Sequence, residues 1–147
     1  MSKCVFPGTF DPFQDGHLNI ARRASKIFDE VIIAVAISAE KHPKHSIEER
    51  VQIAQDKCKG IDNVTVKSFD TLLVDFVKKE AANCVVRGLR NVEDFNYESN
   101  MAAANNKLDE DFDTIFLMAD PKLKDLSSTQ IRELESFGIK TSQFMIK

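Results

Sequence analysis

Seven consecutive residues, Val31-Ile32-Ile33-Ala34-Val35-Ala36-Ile37, are apolar and mostly β-branched. Branched side chains favour an extended backbone. A strand with no polar alternate positions has no face to give to water, so it is buried on both sides, as in a parallel sheet covered by helices. The rest of the chain meets that demand. Lys3–Phe6, Val64–Ser68, Cys84–Arg87 and Thr114–Met118 read as four further strands. Helical patterns over His17–Phe28, Ser46–Lys57, Thr71–Glu80, Glu93–Leu108 and Ser127–Phe137 follow the five strands in turn. Ser46 and Glu49 have the spacing of a capping box. Acid in the first turn of Glu93–Leu108 suits the helix dipole, and Gly138 is placed to end the last helix. Strict alternation implies right-handed crossovers. The expected class is therefore α/β, a Rossmann-like five-stranded parallel sheet with helices on both faces, with residues 1–147 forming one domain. If the strand order is 3-2-1-4-5, ligands belong beyond the carboxyl ends of strands one and four, where the order reverses.

Composition narrows the class of function. The chain is 43% hydrophobic and 29% charged, the balance of a soluble globular protein. No apolar run approaches the length of a membrane span, and no apolar leader follows Met1. The net charge of −3 argues against general nucleic-acid binding, which favours a basic excess. Cys4, Cys58 and Cys84 are an odd number without metal-like spacing and read as reduced core thiols. The expected location is the cytoplasm.

Two loops fall at the expected switch point. The first, Phe6-Pro7-Gly8-Thr9-Phe10-Asp11-Pro12-Phe13-Gln14-Asp15-Gly16-His17, runs from a strand into a helix. Backbone N–H groups and a histidine at a helix start favour an anion, and Gly8 and Gly16 permit close backbone approach. The second, Arg87-Gly88-Leu89-Arg90, sets two guanidinium groups around a glycine. Such rigid forks of donors match phosphate. Arg87 also ends a buried strand, where an unmatched cation would be costly. A third run, Leu126-Ser127-Ser128-Thr129, offers hydroxyls at a helix start. Alone it is also the pattern of an ordinary N-cap. The loop Ser38–His45 carries Lys41, His42, Lys44 and His45, and no third ligand accompanies the two histidines as a metal site would need.

The GTFDP run followed by Gly16-His17 resembles small nucleotidyltransferases, in which His or Thr usually stands three residues before the histidine. Here that residue is Gln14. The RGLR run followed by Asp94-Phe95-Asn96-Tyr97-Glu98 narrows the resemblance to bacterial phosphopantetheine adenylyltransferases. It implies adenylyl transfer from ATP to 4′-phosphopantetheine, giving dephospho-coenzyme A and pyrophosphate. By position it assigns His17 to the α-phosphate and Lys41 to a bridge between the two substrates. Thr9 and Phe10 would contact both substrates, and Arg87 and Leu73 would hold phosphopantetheine. ATP would lie against Gly88, Leu89, Arg90 and Glu98, and against Leu123, Lys124, Asp125, Leu126, Ser127, Ser128 and Thr129. The family usually has an aromatic residue near the adenine, where this chain has Leu123 and Asp125. Mg²⁺ would arrive on the triphosphate, and the family implies a homo-oligomer, typically a hexamer.

No general base is required in such a reaction. The attacking group is a phosphate monoester with a second pKa of about 6, already largely dianionic near neutrality. Positioning and charge stabilisation suffice. Two alternatives stand beside this reading: a cytidylyltransferase-like enzyme acting on another small phosphorylated acceptor, and a nucleotide-binding module without catalysis.

Overall fold

The computed structural model describes residues 1–37, 42–119 and 127–142. Its elements alternate as expected: β1 (Lys3–Gly8), α1 (Asp15–Ile27), β2 (Glu30–Ala36), α2 (Ile47–Lys57), β3 (Val64–Phe69), α3 (Leu73–Lys79), β4 (Cys84–Leu89), α4 (Val92–Leu108), β5 (Thr114–Met118) and α5 (Ser128–Ser136). The five strands are all parallel, in the order β3-β2-β1-β4-β5.

Side chains alternate across the strands, and the core divides accordingly. Cys4, Phe6, Val31, Ile33, Val35 and Val86 face α1 and α2. Val5, Ile32, Ala34 and Val85 face the other way, towards α3. Val31 to Val35 are at most 1% exposed, as a strand covered on both faces must be. Truncating such a side chain to alanine costs about 2–5 kcal/mol. The Ser46–Glu49 capping box is present at the start of α2, with Glu49 N–H donating to Ser46 Oγ at 3.2 Å. Gly138 follows α5 with φ +81. Helix α3 begins two residues later than the sequence pattern implies, because the carbonyl of Leu72 accepts its first bond, from Phe76 N–H.

β1 and β4 run further than their sequences suggest, β1 through Pro7 and Gly8 and β4 through Gly88 and Leu89. A proline in a central strand removes a ladder donor. Here the missing donor falls where no ladder exists. Glu30 N–H bonds Ser2 O and Asn83 N–H bonds Lys3 O, so even residues of β1 face β2 and odd ones, Pro7 included, face β4. β1 shares six register pairs with β2 but two with β4, Cys4↔Cys84 and Val5↔Val85. Beyond Val5 the two central strands part.

Candidate active site

The parting of β1 and β4 opens a cleft of about 470 Å³ beyond their carboxyl ends. Seven residues that the family resemblance assigns to the substrates line it: Thr9, Phe10, His17, Arg87, Gly88, Arg90 and Glu98. Leu73 instead lines a smaller cavity of about 100 Å³ with Asn105. Arg87 and Glu98 line both cavities and form the wall between them. Leu89 is buried at 7% exposure and is absent from both linings. Ser127, Ser128 and Thr129 start α5, where Ser127 Oγ accepts Gln130 N–H at 3.2 Å, and they do not line the cleft. Lys41 and Leu123–Leu126 lie outside the described residues.

His17 sits in the first turn of α1, with the helix N-terminus at the cleft. Its Nδ1 accepts the backbone N–H of Gln14 at 2.9 Å. A nitrogen that accepts a hydrogen bond carries no proton, so the neutral ring holds its proton on Nε2. Three rings fix the imidazole: Phe6, Phe10 and Phe13, with centroids 6.5, 5.0 and 5.4 Å away. Burial first, then the charges of Arg87 and Arg90, hold the imidazole below its usual 6.5. The site therefore presents a neutral donor beside two cations, suited to an oxyanion and unsuited to acid catalysis near neutrality.

Arg87 is not free to serve a ligand with its whole fork. Its Nε and Nη2 donate to Glu98 Oε2 and Oε1 at 2.8 and 2.6 Å, and its Nη1 donates to Pro7 O at 2.6 Å. The family resemblance assigns these two side chains to different substrates. The structure joins them, because one turn of α4 sets Glu98, 9% exposed, over the end of β4. Two of the five guanidinium N–H groups remain for an anion. Arg90 is exposed, and both its backbone N–H and its Nε approach Asp94 Oδ2, at 3.0 and 3.5 Å. The cleft's two carboxylates are thus each matched by an arginine.

Sequence reading missed Arg50 and Asp11. Arg50 is 2% exposed and gives its donors to four backbone carbonyls, including that of Thr9. One signal was present: Arg50 falls on the apolar stripe Ile47–Val51–Ala54 of α2, where a cation has no place unless it is used.

Comparison with known proteins bears on this arrangement. The family described as cytidylyltransferase-like matches residues 5–134. The phosphopantetheine adenylyltransferase of Clostridium novyi is 46% identical over 138 residues, covering 94% of this chain and 86% of that protein. That of Caldanaerobacter subterraneus subsp. tengcongensis is 43% identical over 145 residues, covering 99% and 91%. The chain belongs to the phosphopantetheine adenylyltransferase family. The family's nucleotidyltransferase fold reaches well beyond close relatives. A bifunctional NMN adenylyltransferase/ADP ribose pyrophosphatase from Francisella tularensis, complexed with AMP and a Mn ion, matches 98% of this phosphopantetheine adenylyltransferase-family chain and 44% of its own, with TM-score 0.59 and 20% identity. The lipopolysaccharide core biosynthesis protein from Thermoplasma volcanium matches 82% and 97%, with TM-score 0.58 and 18% identity. At such identities the likeness is one of fold.

Proposed function

We propose that this chain transfers the adenylyl group of ATP to 4′-phosphopantetheine, forming dephospho-coenzyme A and pyrophosphate. The observation that carries the reading is the neutral Nε2–H donor of His17, fixed at the N-terminus of α1 in a cleft flanked by Arg87 and Arg90. An oxygen of the acceptor phosphate attacks the α-phosphorus in line, and the bond to the departing pyrophosphate breaks. Charge grows on the α-phosphate oxygens, where His17 and the α1 N-terminus are aimed. Thr9 and Phe10 border both substrates. Arg87, on the wall between the cavities, takes the acceptor phosphate with its remaining N–H groups, and the pantetheine arm follows Leu73 and Asn105 into the smaller cavity. Gly88, Arg90 and Glu98, which line the cleft, border ATP. Lys41 and residues 123–129 are assigned to the same two substrates by family resemblance alone.

The cleft fits an anion better than a bare cation, because Asp94 and Glu98 are matched by arginines. No cluster of three or more metal-ligating side chains occurs among the described residues. Mg²⁺ would enter on the triphosphate and offset its charge. No helix among the described residues is long and apolar enough to cross a membrane, and a biosynthetic reaction on free nucleotides suits the cytoplasm. Exposed Val92, Tyr97, Met101 and Leu108 on α4 support assembly into a homo-oligomer, a hexamer by family resemblance, which light scattering after size exclusion tests.

The decisive measurement is pyrophosphate release. ATP with 4′-phosphopantetheine should give steady turnover, and CTP should give none. Turnover with CTP would favour the cytidylyltransferase alternative, and ATP binding without pyrophosphate would favour the non-catalytic one.

A further inference from the structure

Phe10 holds a left-handed backbone, φ +48. A bulky residue keeps that conformation only when its surroundings impose it. The residues on either side of it are each tied to distant chain. The carbonyl of Thr9 accepts Arg50 Nη1 at 2.9 Å. The carboxylate of Asp11 accepts the N–H groups of Lys44 and His45 at 2.6 and 2.9 Å and lies 2.9 Å from His45 Nδ1. Burial pushes the Asp11 carboxyl up, but the bonds from His45 and Lys44 outweigh it and hold the group below its usual range. The two ties converge. Arg50 also donates to Ala36 O at 2.8 Å, to Ile37 O at 3.4 Å and, through Nε, to His45 O at 3.2 Å. One buried fork thus joins the loop after β1, the end of β2 and the residue before the α2 cap. No other side chain offers five donors spread so rigidly.

The strained residue between these ties meets the proposed catalytic group. The Phe10 ring, 4% exposed, stands edge-on to the His17 imidazole at 5.0 Å and 87°. Neither Arg50 nor Asp11 lines the cleft.

We propose that Arg50 and Asp11 are positioning residues for adenylyl transfer: together they impose the backbone at Phe10, whose ring sets the imidazole of His17. The proposal rests on the function proposed above. Lysine at position 50 keeps the charge but cannot span four carbonyls, and asparagine at position 11 cannot accept both N–H groups and face His45 as well.

Arg50→Lys and Asp11→Asn are compared with the parent in steady-state kinetics with both substrates varied. A sub-ångström misplacement of a charge-stabilising donor should lower kcat by about tenfold or more in each, with KM for ATP moving less than about threefold. The same substitutions made in a His17→Asn background should change kcat by less than about twofold, because the group they position is gone. The His17 ring signal, assigned by its loss in His17→Asn, should titrate nearer 6.5 in both variants as Phe10 withdraws. Equal fold-losses in both backgrounds, or kcat within about twofold of the parent with an unmoved His17 titration, would overturn the proposal. If Arg50→Lys does not fold, Asp11→Asn, on a partly exposed loop, decides alone. A parent that releases no pyrophosphate defeats the proposed function, whereas the His17 titration still reads the positioning.

Discussion

Arg87 and Glu98 meet as a two-pronged ion pair, Nε to Oε2 at 2.8 Å and Nη2 to Oε1 at 2.6 Å, on the wall between two cavities. The Glu98 side chain is 11% exposed and that of Arg87 29%, so water replaces neither partner fully. Glu98→Gln leaves one prong of the fork on a neutral acceptor and the other facing an amide donor. The loss of a charge-assisted bond should lower stability by about 2 kcal/mol. The fork also loses its orientation, and KM for 4′-phosphopantetheine should rise about tenfold while that for ATP moves less. Urea melts and kinetics with the acceptor varied measure both effects, and an unchanged melt would show that the pair contributes nothing.

His17 has two nitrogens with two duties. Asparagine reaches the place of Nδ1 and can still accept the Gln14 N–H, but it offers nothing at Nε2. Glutamine reaches towards Nε2 and abandons the cap. His17→Asn should keep the parent's melting behaviour and lose about 10²–10³ in kcat. His17→Gln should retain more activity and melt earlier by about 1 kcal/mol. The reverse order of activities would reassign the work to Nδ1.

The depressed titration of His17 has a signed consequence. The folded chain binds this proton less readily than the unfolded chain, whose imidazole titrates near 6.5. Stability from this group is therefore complete above 6.5 and declines as pH falls from 6.5 through the folded value. Activity between pH 7 and 8 should show no histidine inflection. Arg90→Ala removes one of the like charges and should move the His17 titration back towards 6.5, read by NMR. A His17 signal titrating above 6.5 in the parent would contradict the neutral-donor assignment.

Gly8 has no side chain because Phe10 occupies the place. A Cβ there would lie 2.9 Å from Phe10 Cζ and 3.1 Å from Cε1 and Cε2. Gly8→Ala should cost about 1–3 kcal/mol by overpacking and should reduce kcat by pressing Phe10 towards His17. Gly16 is the control. A Cβ there meets nothing within 4 Å, and it stands in the first turn of α1. Gly16→Ala should be neutral or stabilising by up to about 1 kcal/mol. Thermal melts of the two variants decide, and equal losses would show that the close approach at Gly8 is relaxed.

The elements were legible because they rest on local signals, whereas the strand order entered as an assumption that the structure bears out. Period-two and period-3.6 apolar patterns, the Ser46–Glu49 box and Gly138 each act within a few residues. The loops at the switch point followed from topology. The Arg87–Glu98 pairing was not legible in the same way. Eleven residues separate the two, and both suit a substrate equally well by residue type. The Arg50 tie to Thr9 spans 41 residues and ends on a backbone carbonyl, which leaves no mark on composition. The extension of β1 through Pro7 was masked by the rule that proline ends a central strand. That rule presumes a ladder on both sides, and here β4 has already turned away.

That turning away makes the sheet a garment of two panels. β3, β2 and β1 are sewn by six register pairs at each join, and β4 and β5 by five. Between the panels run two stitches, with Arg87 Nη1 reaching back to Pro7 O as a third. A nucleotide bound across this seam, as proposed above, would close it. Substrate is then a fastening as well as a guest, and the seam should resist hydrogen exchange most when the cleft is full.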